Sequence, residues 1–274
     1  MQINYCCTHW GSEHLPPLEF LENLVREGYS GLEINLSPGA VTDDVFFSRL
    51  QELRENGFSF IGQLVIDDLD QTPKQHTNRM KERLEFLSEF KPDFINSHTG
   101  RDFFCFVDNC RIIDEVENLA AKLGVRILHE THRGRFSFHL PTLLPYLETF
   151  PDLQLTADFS HWCNVSESLL QGQLEMLEEI IPNIGHLHAR IGSEQSAQAN
   201  NPFAPEWNRH LAVFCNWWKM IIDHQKRKGS RVFTITPEAG PKPYMPSLPF
   251  SAEPVASQWE INRLMKNHLN QILN

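Results

Sequence analysis

The sequence predicts a single (β/α)8 TIM-barrel domain over residues 1–274, on three observations. Segments with the character of buried strands alternate with segments of helical periodicity eight times along the chain. Several of the strand segments end at an acidic residue or a histidine, and in a parallel barrel all such strand ends lie at the same mouth. No composition break interrupts the chain, so one domain is expected. An open doubly wound sheet is the alternative, but the Gly-rich turn expected after its first strand is missing.

Apolar runs rich in β-branched and aromatic residues indicate the strands. We expect strands at 3–9, 31–36, 58–66, 94–100, 125–128, 153–162, 184–190 and 232–240. Amphipathic segments indicate the helices between them, and several end at a glycine, as a left-handed cap requires. We expect helices at 18–28, 45–57, 73–90, 108–124, 140–151, 166–181, 206–229 and 256–273, with Pro145 interrupting the fifth.

Composition excludes several classes of protein. The net charge of −11 would repel a phosphate backbone, so nucleic acid is not an expected partner. No apolar run reaches the length of a membrane span, and the N-terminus lacks the layout of a signal peptide. Six scattered cysteines without a CxxC pair do not form a disulfide framework or a thiolate zinc site. The expected location is cytoplasmic.

Four residues at the ends of the last four strands could converge on one metal ion. They are Glu130, Asp158, His188 and Glu238. Three carboxylates and one imidazole suit Mn²⁺ or Mg²⁺, with Zn²⁺, Co²⁺ or Fe²⁺ as alternatives. Each residue taken alone has a simpler interpretation; Asp158, for instance, could cap the following turn. Their placement on four successive strands favours a shared site.

At these residues the sequence resembles the xylose isomerase-like barrel superfamily of sugar isomerases and epimerases. The segments GYSGLEI at 28–34 and FINSHTG at 94–100 also resemble its second and fourth strands. The most specific part is an E…DxxH…HxH…E pattern formed by Glu130, Asp158 with His161, His186 with His188, and Glu238. The resemblance implies that Glu130, Asp158, His188 and Glu238 bind one divalent ion, and that His161 contacts the substrate.

The resemblance also implies a reaction class. Enzymes of this group remove a proton next to a sugar carbonyl, form an enediolate, and return the proton to the same or the neighbouring carbon. Glu130 and Glu238 are the pair expected to carry that proton. The expected activity is therefore metal-dependent isomerisation or epimerisation of a sugar, sugar acid or sugar phosphate. A metal-dependent dehydratase on a sugar or inosose-type substrate and a non-catalytic carbohydrate-binding barrel are the alternatives.

The chain departs from the ketose 3-epimerases just after Glu130, where Thr-His-Arg-Gly-Arg replaces a region with a further glutamate. Arg133 and Arg135 suggest a substrate with a carboxylate or phosphate, because guanidinium groups bind such anions in a bidentate manner. Arg190, at a position where the family often has aspartate, is a third candidate contact. The extra metal ligands of the three-metal apurinic-site endonucleases are missing after strand seven.

Other polar or aromatic residues near strand ends are further candidates for substrate contacts. His98 and Trp10 could wall the pocket, and Trp10 would suit the apolar face of a sugar. His186 shares a barrel side with His188, so it could contact substrate or be structural. The irregular stretch 192–207 is expected to lie over the mouth, where Gln195 and Gln198 could bind sugar hydroxyls. Barrels of this family often pair, so a homodimer is a further expectation.

Overall fold

The described part of the chain forms a closed barrel of eight parallel strands. The computed structural model describes residues 1–37, 43–68 and 70–273. The strands are β1 Gln2–Thr8, β2 Gly31–Ile34, β3 Ser59–Leu64, β4 Phe94–Ser97, β5 Ile127–Glu130, β6 Leu155–Ala157, β7 Ile184–Ala189 and β8 Val232–Pro237. Each strand pairs with the next one along the chain, and β8 pairs with β1 through Val232 and Gln2. The predicted (β/α)8 fold is confirmed, and an open sheet is excluded.

Helices surround the barrel and bury their apolar faces against its outer surface. They are α1 Pro17–Arg26, α2 Asp44–Glu55, α3 Pro73–Ser88, α4 Phe106–Leu123, α5 Leu140–Thr149, α6 Phe159–Val165, α7 Leu174–Ile180, α8 Asn208–Lys228 and α9 Gln258–Leu273. Gly124 and Gly229 end α4 and α8 in the left-handed conformation, which glycine adopts without steric cost. Within the described ranges, no helix has the length and apolar character needed to cross a membrane.

The barrel interior changes from apolar to polar along the strand direction. One end is filled by Cys6, Ile61, Phe94 and Leu128, which pack together. Side chains alternate between the two faces of a strand, so residues two positions further on point into the same interior. On these strands those residues are Thr8, Gln63, Asn96 and Glu130. The apolar layer therefore forms a floor, and the polar groups stand above it at the carboxyl-terminal mouth.

The structure corrects the helix predicted at 166–181. Asp158 accepts a hydrogen bond from the Ser160 backbone N–H, so α6 begins directly after β6 instead. The chain then turns through Glu167 and Leu170, which have φ angles of 44° and 52°. This left-handed region is unusual for residues other than glycine, and it delays the next helix, α7, until Leu174.

The expected interruption at Pro145 is also wrong. Helix α5 runs from Leu140 to Thr149 with Pro145 inside it. Proline removes one backbone donor, but this short helix keeps its apolar face buried through Leu143 and Tyr146. Tertiary packing therefore outweighs the local penalty.

Candidate active site

A cavity of about 480 Å³ opens at the carboxyl-terminal mouth of the barrel. Its size lies within the range of small-molecule sites. Loops or strand ends from most of the barrel contribute to its wall. The lining residues are His9, Trp10, Glu13, Asn35, Gln63, Val65, Asp67, His98, Glu130, His132, Arg135, Arg190, Glu238 and Tyr244. The wall thus combines four carboxylates with two guanidinium groups and two large aromatic rings.

The four residues predicted as metal ligands come together beneath this cavity. One potential ligand atom from each of Glu130, Asp158, His188 and Glu238 lies within 4.8 Å of the others. All four side chains are buried. Buried carboxylates that lie this close are unfavourable unless positive charge meets them. The arrangement therefore provides a preformed set of donors for a cation.

His188 directs one ring nitrogen, Nδ1, at this cluster. Its Nε2 lies 3.0 Å from Oε1 of Glu33, and its Nδ1 lies 2.8 Å from Oε2 of Glu238 and 3.5 Å from Oε2 of Glu130. The Nδ1 atom is buried, and apart from these carboxylate contacts it has no well-aligned hydrogen bond in the described structure. A metal-binding imidazole ordinarily donates its other N–H to a carboxylate or carbonyl, which directs the free lone pair at the ion. The His188 environment fits a divalent metal.

Glu33 is held rigidly by the polar interior of the barrel. Its Oε1 accepts hydrogen bonds from the amides of Gln63 and Asn96, both at 3.1 Å. Its Oε2 accepts one from the Thr236 hydroxyl at 2.6 Å. Although burial alone would raise its pKa, the nearby imidazoles of His188 and His186 hold the pKa of Glu33 well below its usual range. Glu33 is therefore a fixed, ionised carboxylate behind His188.

Arg190 binds two of the four clustered residues. Its Nη2 lies 2.7 Å from Oδ2 of Asp158 and 2.7 Å from Oε2 of Glu238, and its Nε donates to Asp158 at 2.9 Å. The other oxygen of Asp158 caps α6 and accepts from the Ser160 hydroxyl at 2.6 Å. Asp158 is thus both a helix cap and a partner of arginine. Of the four donors, it is the one most engaged by the protein itself.

The two glutamates of the cluster have different electrostatic environments. Burial would raise the pKa of Glu130, but the imidazoles of His98 and His188 hold that pKa well below its usual range. His98 Nε2 contacts Oε2 of Glu130 at 3.0 Å. For Glu238, burial prevails over the opposing effect of His188 and Arg190, and its pKa is raised. Two carboxyl groups with separated pKa values are typical of acid–base sites.

The predicted substrate contacts divide into three groups. Four of them line the cavity: His98, Trp10, Arg135 and Arg190. His186 lies deeper, where its Nδ1 faces Thr234 and its Nε2 is 3.4 Å from Glu33. The remaining four predicted contacts do not line the cavity: His161, Arg133, Gln195 and Gln198.

His161 and Arg133 belong to a layer behind the cavity wall. The His161 ring lies against His132 with a centroid separation of 3.8 Å, and neither of its ring nitrogens has a hydrogen-bond partner. Burial and the neighbouring positive groups hold the pKa of His161 well below its usual range. The Arg133 guanidinium lies 4.9 Å from the ring centroid of Tyr244. Both residues therefore support groups that do reach the cavity.

Gln198 holds the loop after β8 in place. Its amide donates to the Gly240 carbonyl at 3.1 Å and accepts from the Gly240 N–H at 2.7 Å. No room exists there for a side chain on Gly240, because an added Cβ would lie 2.2 Å from the Trp10 ring. The irregular stretch after β7 thus packs on the β8 loop and shapes the wall indirectly.

Several residues of the cavity wall and of the polar barrel interior escaped the sequence analysis. Tyr244, His132, Gln63 and Asn96 are the main ones. Tyr244 contacts both Trp10 and Arg190, with ring and guanidinium separations of 5.1 Å and 4.7 Å. Gln63 and Asn96 carried a signal, since each is a polar residue two positions after an apolar one on a buried strand. Tyr244 had none, because its loop has no periodic pattern.

No known family model and no curated protein matches this sequence. Solved structures do match it over nearly the whole chain. A D-allulose 3-epimerase from Methylomonas sp. shares 13% identity and a TM-score of 0.70, covering 99% of this chain and 98% of that one. A probable 3-DHS dehydratase from Bacillus anthracis shares 16% identity with a TM-score of 0.66, covering 97% of this chain and 98% of that one.

An endonuclease IV from Thermus thermophilus shares 13% identity with a TM-score of 0.61, covering 99% of this chain and 100% of that one. The resemblance to xylose isomerase-like barrels is therefore confirmed for the fold. One such fold carries epimerase, dehydratase and endonuclease activities, so the fold alone does not select a reaction.

Proposed function

We propose that this protein is a divalent-metal-dependent isomerase or epimerase of a carbohydrate. The observation that carries the proposal is the convergence of Glu130, Asp158, His188 and Glu238, with His188 Nδ1 facing the carboxylates and its Nε2 held by Glu33. The carboxylates of Glu238 and Glu130 lie beside that nitrogen, where the other ligands of a shared ion would be expected. The Glu33 carboxylate on the opposite side of the ring is the partner that a metal-binding imidazole ordinarily has.

The donor set suits a hard cation. Three carboxylates and one imidazole favour Mn²⁺ or Mg²⁺, while Zn²⁺, Co²⁺ and Fe²⁺ can use the same donors. A bound ion of this kind would polarise a substrate carbonyl and make the neighbouring C–H more acidic.

Within this proposal, Glu130 and Glu238 move the proton. Both carboxylates line the cavity, so both can reach a bound substrate. His98 orients Glu130 through its 3.0 Å contact, and Arg190 orients Glu238 through its 2.7 Å contact. Proton removal by one glutamate and return by the other to the opposite face gives epimerisation. Return to the adjacent carbon gives isomerisation.

The proposed substrate is a small carbohydrate and not a nucleic acid. Trp10 and Tyr244 offer aromatic surface to the apolar face of a sugar ring or chain, and the polar wall offers hydrogen bonds. The net charge of −11 and the four carboxylates in the wall oppose a polyphosphate backbone. We place the protein in the cytoplasm as part of the same proposal.

Proton exchange with solvent tests the proposal. The protein with Mn²⁺ is incubated in D₂O with a panel of ketoses, aldoses and sugar acids, and the products are analysed by mass spectrometry and NMR. We expect deuterium next to a carbonyl in at least one substrate, and at least about a hundredfold slower incorporation by Glu238→Gln. Glu117→Gln, which alters a Glu–His pair outside the cavity, is the control.

Other products of the same incubation identify the alternatives. Loss of water from the substrate would assign the protein to the dehydratases, which begin with the same proton removal. Binding of sugars with no exchange and no product would indicate a non-catalytic carbohydrate-binding barrel.

A further inference from the structure

Arg135 is a buried cation that has no carboxylate partner in the described structure. Its side chain lines the cavity although the residue is only 6% exposed. Its Nη2 lies 3.3 Å from Nδ1 of His98, and its Nε and Nη1 have no hydrogen-bond partner. The second arginine of the wall, Arg190, differs because its charge is met by Asp158 and Glu238. Arg135 therefore carries the one guanidinium charge of the described wall that no acid neutralises.

This arrangement is costly without a ligand. A guanidinium remains protonated, so burial cannot be relieved by loss of its proton. Taking an ion out of water costs several kcal/mol unless an opposite charge or strong hydrogen bonds replace the water. His98 offers only its Nδ1, because its Nε2 is already used by Glu130. The Arg135 guanidinium therefore keeps hydrogen-bond donors for a further partner, and the cavity is the open space that it lines.

The rest of the wall selects the type of anion. The other charged side chains of the cavity wall are the carboxylates of Glu13, Asp67, Glu130 and Glu238, and Arg190, which is already paired. Because only one guanidinium of the described wall lacks an acid partner and four carboxylates surround it, the site favours a ligand with a single negative charge. A carboxylate carries one charge and fits the planar fork of arginine, whereas a phosphate monoester brings up to two.

We propose that the substrate is a sugar acid, whose carboxylate binds Arg135 while its hydroxyl and carbonyl groups face Glu130 and Glu238. This inference deepens the proposed function and rests on it. It assigns Arg135 a role in specificity: the residue binds the charged end of the substrate, one imidazole away from Glu130. Neutral sugars of the same length lack the group that would neutralise Arg135.

Calorimetric titration with matched ligands tests this assignment at a fixed Mn²⁺ concentration. D-Gluconate is compared with D-glucitol, D-glucuronate with D-glucose, and D-glucose 6-phosphate is measured beside them. We expect at least one acid to bind about 10- to 100-fold more tightly than its neutral partner, as hydrogen bonds to charged groups allow. Arg135→Met should abolish that preference, and Arg135→Lys should retain part of it. Arg111→Met, which removes an exposed arginine from α4, should leave the preference unchanged.

Three results would overturn the assignment. One is the lack of any preference for an acid over its neutral partner in the wild-type protein. Another is a preference that persists in Arg135→Met with an unchanged melting temperature. The third is tighter binding of the sugar phosphate than of both acids. A wild-type protein that binds no Mn²⁺ in the absence of sugar would instead refute the proposed function, and acid binding through Arg135 would still be measurable.

Discussion

Replacing Glu33 by glutamine should weaken Mn²⁺ binding without unfolding the barrel. Glu33 does not line the cavity, and it contacts the proposed metal ligand His188, whose Nε2 lies 3.0 Å from Oε1 of Glu33. Glutamine has the same shape and keeps one oxygen acceptor. Its amide nitrogen can donate to the Thr236 hydroxyl, which then reverses its role from donor to acceptor. The packing therefore survives, and the negative charge behind His188 is lost.

The expected size of the effect follows from that contact. The carboxylate fixes which nitrogen of His188 carries the proton and increases the basicity of the other one. Loss of such a partner typically weakens metal binding about 10- to 100-fold. This corresponds to about 1.4 to 2.8 kcal/mol of binding free energy. Because Gln63 and Asn96 continue to donate to the remaining oxygen, we expect little change in the melting temperature.

Titration calorimetry with Mn²⁺ measures this effect, and the chain offers a matched control. Glu117 contacts His129 Nε2 at 2.9 Å, so it forms a similar Glu–His pair outside the four-residue cluster. Glu117→Gln should bind Mn²⁺ as the wild-type protein does. A folded Glu33→Gln protein with wild-type Mn²⁺ affinity would refute the positioning role of Glu33.

Two further predictions concern stability. Burial and the nearby charge of Arg101 lower the pKa of His76 to about 4, so the folded state keeps this ring neutral while the unfolded chain takes up a proton below its ordinary value near 6.5. His76 therefore contributes stability that is present above pH 6.5 and is lost as the pH falls towards 4. When the pH is lowered from 7 to 5, the free energy of unfolding of His76→Gln, measured in urea, should fall by about 2 kcal/mol less than that of the wild-type protein. Gly192→Ala should lower stability by about 1 to 3 kcal/mol, because the new Cβ would lie 2.9 Å from the backbone oxygen of Ser160; an unchanged urea midpoint would show that the loop moves freely away.

Much of the barrel could be predicted because its signals are local. Buried strands, helical periodicity and terminal glycines each follow from the residues of one segment. The turn at Glu167 and Leu170 could not, because left-handed backbone at such residues is imposed by the surrounding structure. Asp158 shows an intermediate case. The sequence supports both a helix cap and a metal ligand there. In the structure one oxygen caps the helix, the other contacts Arg190, and the residue belongs to the four-residue cluster.

Site residues at strand ends could be predicted from the sequence. Site residues whose positions depend on tertiary contacts could not. Alternation on β7 indicated that His186 and His188 share a face, and both do lie in the barrel interior. The position of Tyr244 depends on the loop that Gln198 holds at Gly240, so no local pattern marks it. The sequence did mark Arg135 as a candidate contact, but only the folded structure shows that its Nε and Nη1 have no hydrogen-bond partner.

The most direct test of the proposed metal centre is a Mn²⁺ titration of chelator-treated wild-type protein beside His188→Ala. The four clustered donors predict one ion per chain in the wild-type protein and at least about a hundredfold weaker binding in the variant. The melting temperature of the wild-type protein should rise with added Mn²⁺, as binding to the folded state alone requires. Absence of binding, or equal affinity in a folded His188→Ala protein, would contradict the proposed metal centre.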